Sequence, residues 1–167
     1  MVIETENRIS EEAVLEALHR VKDPEIPVLS IVDMAMVSGV FISESQIEIL
    51  FLPTFIGCPA IDIIKKNIKE EVEKLGVPTI VKTDSKKQWN TNMLSEEAKS
   101  KLEKFGLAPP PELKDEDFTL EQLDRVRCPH CHSTDTTLRS SFGSTLCRAI
   151  RFCFHCKQGF EQFKPLQ

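Results

Sequence analysis

Two Cys-x2-Cys pairs, Cys128-Pro-His-Cys131 and Cys153-Phe-His-Cys156, stand 21 residues apart in the last forty or so residues of the chain. Each pair is a turn that sets two thiolates on one side of a metal ion, and two such turns face each other to close a tetrahedral four-sulfur site. A segment of this length buries too little apolar surface to fold unaided, whereas a structural zinc ion supplies roughly 10–16 kcal/mol of apparent binding free energy. The spacing therefore predicts a small metal-stapled ribbon over 125–167. Zinc is the expected ion; iron in a rubredoxin-like arrangement is the alternative that the same thiolates accept. His130, His132 and His155 flank the cysteines and are expected to face solvent, four sulfur ligands being already at hand. Phe142, Phe152, Phe154, Phe160 and Phe163 read as the ribbon's apolar core; Cys147, between the knuckles, reads as a small buried hydrophobe, with a transient ligand or reactive thiol as the alternative.

The other 124 residues allow one ordinary domain. The chain opens MVIETENRIS, acidic where a secretory leader would be basic, and its apolar run Ile49–Leu52 is too short to span a bilayer. A cytoplasmic protein is expected, with no membrane partner, and there paired cysteines bind metal rather than each other. Charge is uneven. Residues 108–124 hold one Lys against six Asp+Glu, while 125–167 hold seven Lys+Arg against two. Four thiolates around a divalent ion subtract two charges, leaving the tail mildly basic beside an acidic remainder. That balance argues against nucleic acid as a partner.

Three segments follow from patterning: a first domain over 1–107, an acidic linker over 108–124 that begins in Ala108-Pro109-Pro110-Pro111, and the ribbon over 125–167. Within the first domain, 11–22 reads as a helix capped by Ser10, with Val14, Leu15, Leu18 and Val21 on one face. Asp23-Pro24-Glu25-Ile26-Pro27 stops it. Strands are predicted at 35–42 and 46–52, where Ile47, Ile49 and Phe51 alternate with Glu48 and Leu50. The helix predicted at 58–75 carries Pro59 in its first turn, Ile61, Ile64, Ile68, Val72 and Leu75 as a stripe, and Gly76 as its stop. A third strand at 77–83 and a short helix at 95–105, capped by Ser95, complete the domain. The fold class is α+β: a small mixed domain with an α-β-β-α-β core, followed by a zinc ribbon.

Cys58 stands at the start of that second helix in Thr54-Phe55-Ile56-Gly57-Cys58-Pro59. Unpaired amides and the helix dipole are expected to lower its pKa. Such a thiolate can hold a soft metal, attack an electrophile or carry sulfur; a structural cysteine is the alternative reading. Asp23, Glu25 and Asp33 lie in or near the loop after the first helix, and would join Cys58 in one pocket if the sheet brings that loop across. Carboxylates there also make turns for structural reasons alone. No catalytic base, phosphate-binding loop or nucleotide fingerprint is evident, so an independent enzyme is not expected.

These residues carry a resemblance. Asp23-Pro24-Glu25-Ile26-Pro27 through Asp33, Pro53-Thr54 and Gly57-Cys58-Pro59-Ala60 resemble the SufT-like iron–sulfur assembly factors. Gly106-Leu107-Ala108-Pro109-Pro110, Ser141-Phe142-Gly143-Ser144-Thr145-x-Cys147, and Phe160 with Phe163-Lys164 resemble their PaaD branch, found with phenylacetyl-CoA epoxidase in aerobic phenylacetate catabolism. The resemblance implies a non-oxygenating accessory component that assembles or matures iron or iron–sulfur centres, with oxygenase and reductase subunits as partners. It makes Cys58 the candidate iron- or sulfur-handling residue, with Thr54, Asp23 and Glu25 beside it, and a transient iron or iron–sulfur cluster as cargo. A structural subunit that docks through its ribbon and transfers no metal is the alternative, and homodimerisation stays open. Three positions depart from the pattern: Ala35 and His132 stand where glycine is usual, and Gly159 where proline is frequent. Loop geometry, rather than the ligands, is where these departures should show.

Overall fold

The structure, a computed structural model, describes residues 9–55, 57–112 and 126–165. Most of the acidic linker, 113–124, lies outside them.

Helix α1 (Glu11–Arg20) opens where the hydroxyl of Ser10 accepts from the Ala13 amide at 3.2 Å, and Glu11 and Glu12 occupy its first turn. Val14, Ala17 and Leu18 form its buried face. The chain then makes a loop tied at its base, with the Ile31 amide donating to Val21 O and Asp23 N to Leu29 O, both at 3.0 Å. This loop drops Ile26, Leu29 and Ile31 into the core.

Strand β1 (Val37–Ile42) is shorter than its sequence predicts. Ala35 has φ of +52°, a left-handed backbone that cannot extend a strand, so β1 begins two residues later. β2 (Ile47–Phe51) keeps the expected alternation: Ile47, Ile49 and Phe51 are fully buried. It pairs antiparallel with β1 and, across helix α2 (Ile61–Glu73), parallel with β3 (Thr79–Thr83), giving the order β1-β2-β3. Ile64, Ile68 and Val72 of α2 enter the same core as the β2 side chains. α2 starts at Ile61, not 58, because Cys58-Pro59-Ala60 forms a separate turn whose Cys58 carbonyl accepts from Ile61 N at 3.3 Å.

A 3-10 turn at Thr91–Met93 leads to α3 (Glu96–Phe105), capped by Ser95 and closed by Gly106 at φ +88°. Leu107–Ala108, at the seam between the first domain and the linker in the sequence, then form β4, which pairs parallel with the last strand of the ribbon. β5 (Thr136–Ser140), β6 (Arg148–Cys153) and β7 (Gly159–Phe163) complete a second sheet in the order β4-β7-β6-β5. The five ribbon phenylalanines do not share one core. Phe160 sits among Ala108, Val126, Cys128 and Cys153, whereas Phe163 is buried in the core of the first domain against Trp89. Phe142 is 70 % exposed, and Phe152 and Phe154 stack edge to face under the guanidinium of Arg139. A ribbon this thin has only one interior layer, and alternation along β7 sends Phe160 and Phe163 to different sides.

Candidate functional site

The four ribbon cysteines come together. Cys128 Sγ lies 3.7 Å from Cys156 Sγ, Cys131 Sγ lies 3.6 Å from Cys153 Sγ, and all four fall within 4.8 Å of one another. Zinc–sulfur bonds near 2.3 Å in a tetrahedron put the sulfurs about 3.8 Å apart, so the donor set fits a single four-thiolate ion. The two knuckles are built alike. In each, the first cysteine's amide donates to the carbonyl five residues on (Ser133, Gln158), and its carbonyl accepts from the residue four on (His132, Lys157). Both of those fourth residues are left-handed, at φ +60° and +62°. Amides aimed at the sulfurs tune them unequally: the Cys156 amide draws Cys153 down to about 7, while burial and the neighbouring thiols push Cys156 up to about 12. A divalent cation replaces that competition with four thiolates. His130, His132 and His155 are outside the cluster, as expected.

The second site is a cavity of about 280 Å³ between the first domain and the ribbon. Asp23, Glu25, Thr54 and Cys58 line one wall, so the structure brings these four sequence candidates to one place. Asp23 is held in position by its own turn: its Oδ1 accepts from the amides of Glu25 and Ile26, each at 2.8 Å. Asp33 is not part of the cavity. Its carboxylate caps Ser30 and pairs with Lys101 Nζ at 2.9 Å.

Cys58 departs from the sequence expectation in its charge. Burial pushes its thiol above the ordinary value, and the carboxylates of Glu25 and Asp23 add to that; the Ala60 amide opposes them without winning. The helix begins three residues later, so its amides are not all aimed at this sulfur, and the carboxylates make the cavity a poor home for a bare anion.

Sequence reasoning misses the opposite wall. Residues 142–147 fold over the cavity, and Cys147, half-buried, sits with Sγ 3.8 Å from Oε2 of Glu25 and 3.1 Å from the hydroxyl of Thr145. Arg148 fastens this loop, donating to the Glu25 carbonyl, to Glu161 at 2.8 Å and to Ser144. Gly143 is required there: a Cβ would come within 2.9 Å of Arg148 Cβ and 3.1 Å of its backbone carbon. The glycine inside Ser-Phe-Gly-Ser-Thr-x-Cys is the available signal, but only the docked ribbon shows what it packs against.

A small α+β domain with an acidic thiol pocket, joined to a four-thiolate ribbon, defines a two-part protein with a metal-binding module. Comparison with known proteins agrees half by half. The family of iron–sulfur cluster assembly proteins matches residues 11–82, and the PaaD zinc beta ribbon domain matches 112–164. The chain is 36 % identical over 148 residues to a putative 1,2-phenylacetyl-CoA epoxidase subunit of Escherichia coli K12, covering 88 % of both. It is 32 % identical over 96 residues to an Fe-S protein maturation auxiliary factor of Porphyromonas gingivalis, covering 56 % of this chain and 90 % of that one. A crystal structure of a domain of unknown function from Bacillus anthracis superposes at TM-score 0.51 with 27 % identity, over 55 % of this chain and 90 % of that one. A conserved hypothetical protein from Thermotoga maritima gives 0.50 and 28 %, over 60 % and 97 %. The chain belongs to the PaaD family of iron–sulfur assembly proteins with a C-terminal zinc ribbon. Among the described residues, no helix is long and apolar enough to cross a membrane.

Proposed function

We propose that this protein is a non-oxygenating accessory component of a phenylacetyl-CoA epoxidase system, and that it assembles or matures the iron or iron–sulfur centres of its partner subunits. The observation that carries this reading is the cavity that Cys58 lines beside Asp23, Glu25 and Thr54. A thiol among carboxylates suits a passing cation: the carboxylates attract it, and the sulfur gives it a soft ligand. The names of the Escherichia coli and Porphyromonas gingivalis relatives support the system and the role respectively. The ribbon holds zinc through Cys128, Cys131, Cys153 and Cys156; the ion staples the fold and takes no part in transfer.

Cys58→Ala tests this. Co-expressed with oxygenase and reductase subunits, the variant should stay folded while iron–sulfur occupancy in the reductase falls several-fold. Full occupancy would remove Cys58 from the mechanism. A second reading is a structural subunit that docks through its ribbon, favoured by Phe142 and Leu146, which are 70 % and 54 % exposed. In that case ribbon-ligand variants lose association with the oxygenase and Cys58→Ala is silent.

A further inference from the structure

We propose that the cavity is a two-thiol metal site, in which Cys147 of the ribbon and Cys58 of the first domain bind one divalent transition ion together, with the Glu25 carboxylate as third ligand. This rests on the iron-handling reading of Cys58 and adds to it a second thiol, from the ribbon. Cys147 and Cys58 line opposite walls of the same cavity. Glu25, on the same wall as Cys58, reaches toward the ribbon's thiol. Its Oε2 is 3.8 Å from Cys147 Sγ, and its charge acts on both thiols.

Three features say that this arrangement is built. Cys147 sits in a loop whose path is fixed by Gly143 packed on the Arg148 backbone and by Arg148 donating across to the Glu25 carbonyl. The Lys164 amide donates to the Cys147 carbonyl at 2.8 Å, tying the loop to the end of β7 as well. Cys147 packs against the edge of the first domain's core, and its sulfur meets polar groups there, the Thr145 hydroxyl at 3.1 Å and Glu25 Oε2 at 3.8 Å. Two sulfurs and one carboxylate make a donor set of intermediate softness, matched to ferrous iron and its divalent neighbours rather than to magnesium or calcium. Binding a dication releases two thiol protons to solvent and leaves the complex with one net negative charge, beside the guanidinium of Arg148. Unlike the ribbon cysteines, these ligands are not all drawn within 4.8 Å of one another, so the thiols must close on the ion as it binds. The ribbon then has a second part in the chemistry: it closes the pocket with one of its own thiols.

The test is a cobalt(II) titration of the full-length, zinc-loaded protein under anaerobic conditions, read in the thiolate-to-cobalt charge-transfer band. A Cys58→Ala/Cys147→Ala double variant supplies the ribbon's own baseline. Wild type should take up one cobalt per chain above that baseline. Cys147→Ala and Cys58→Ala should each halve the band and weaken binding at least tenfold. Glu25→Gln should weaken binding with the band intact. Cys147→Ser, which keeps size and polarity, should behave as the alanine variant does, and unchanged zinc content and Trp89 emission show that the variants are folded. A Cys147 variant that titrates like wild type, or a wild type with no band above baseline, overturns the two-thiol site. Reductase occupancy separates this from the parent reading. If Cys58→Ala lowers it and Cys147→Ala does not, the accessory function stands and the shared site fails.

Discussion

The indole of Trp89 meets the ring of Phe163 edge to face, with centroids 6.1 Å apart. The same indole donates to the carbonyl of Met34 at 2.7 Å, so one side chain ties the loop after α1, the segment before α3 and the last strand of the ribbon. The two halves of the chain therefore share a core rather than hanging from a linker.

Phe163→Ala removes a side chain that is 1 % exposed at this junction. Deleting a buried aromatic costs about 3–5 kcal/mol. Denaturant unfolding followed by circular dichroism should show a loss of that size, against less than about 1 kcal/mol for the 70 % exposed Phe142→Ala.

Removing the metal should uncouple the halves. The sequence contains one tryptophan, and it is 2 % exposed against Phe163. A strong chelator that strips the ribbon should shift Trp89 emission to the red while most of the helical signal from α1, α2 and α3 persists. Loss of the helical signal in step with the metal would show that the first domain cannot stand without the ribbon.

Acid should act through Asp33. Burial alone would raise its pKa, but the Ser30 amide and the Lys101 ammonium outweigh it and hold the carboxyl below the ordinary carboxylate range. A depressed folded-state pKa means stability that is fully present above the unfolded value, near 3.9, and lost as pH falls through the lower folded value. Asp33→Asn should flatten the acid limb of a stability-against-pH curve below about pH 4 and leave its neutral plateau lower. An unchanged acid limb would assign the loss to other carboxylates.

Ala35 and His132 carry left-handed backbones at φ +52° and +60°. A side chain there costs roughly 1–2 kcal/mol, against about 0.5–1 kcal/mol of extra chain entropy for glycine. Ala35→Gly and His132→Gly should each stabilise the protein by about 0.5–1 kcal/mol in thermal or denaturant unfolding. The left-handed backbone is the physical reason a glycine would be favoured at both positions.

What can be read from the sequence divides along physical lines. The caps at Ser10 and Ser95, the alternation of Ile47, Ile49 and Phe51 and the two knuckles depend on neighbours within a few residues, and the structure has them as the sequence predicts. The start of α2 differs from its prediction because Pro59 fits both a first helical turn and a preceding turn, and the core decides between them. Ala35 carries no local sign of its φ, so the pattern extends β1 two residues too far. Cys147 reads either as a small hydrophobe or as a reactive thiol, and the sequence does not choose. Its meeting with Glu25, 122 positions away, exists only once the ribbon has docked, and no periodicity reports docking.

Strand β4 has a practical consequence for anyone dividing this protein. Leu107–Ala108 cover the outer edge of β7 with a parallel pairing, yet they lie ahead of the conventional ribbon boundary at residue 112. A fragment cut at that boundary bares a row of unpaired amides and carbonyls along β7, the kind of edge on which chains stack into aggregates. Begun at Gly106, the same fragment carries its own cover.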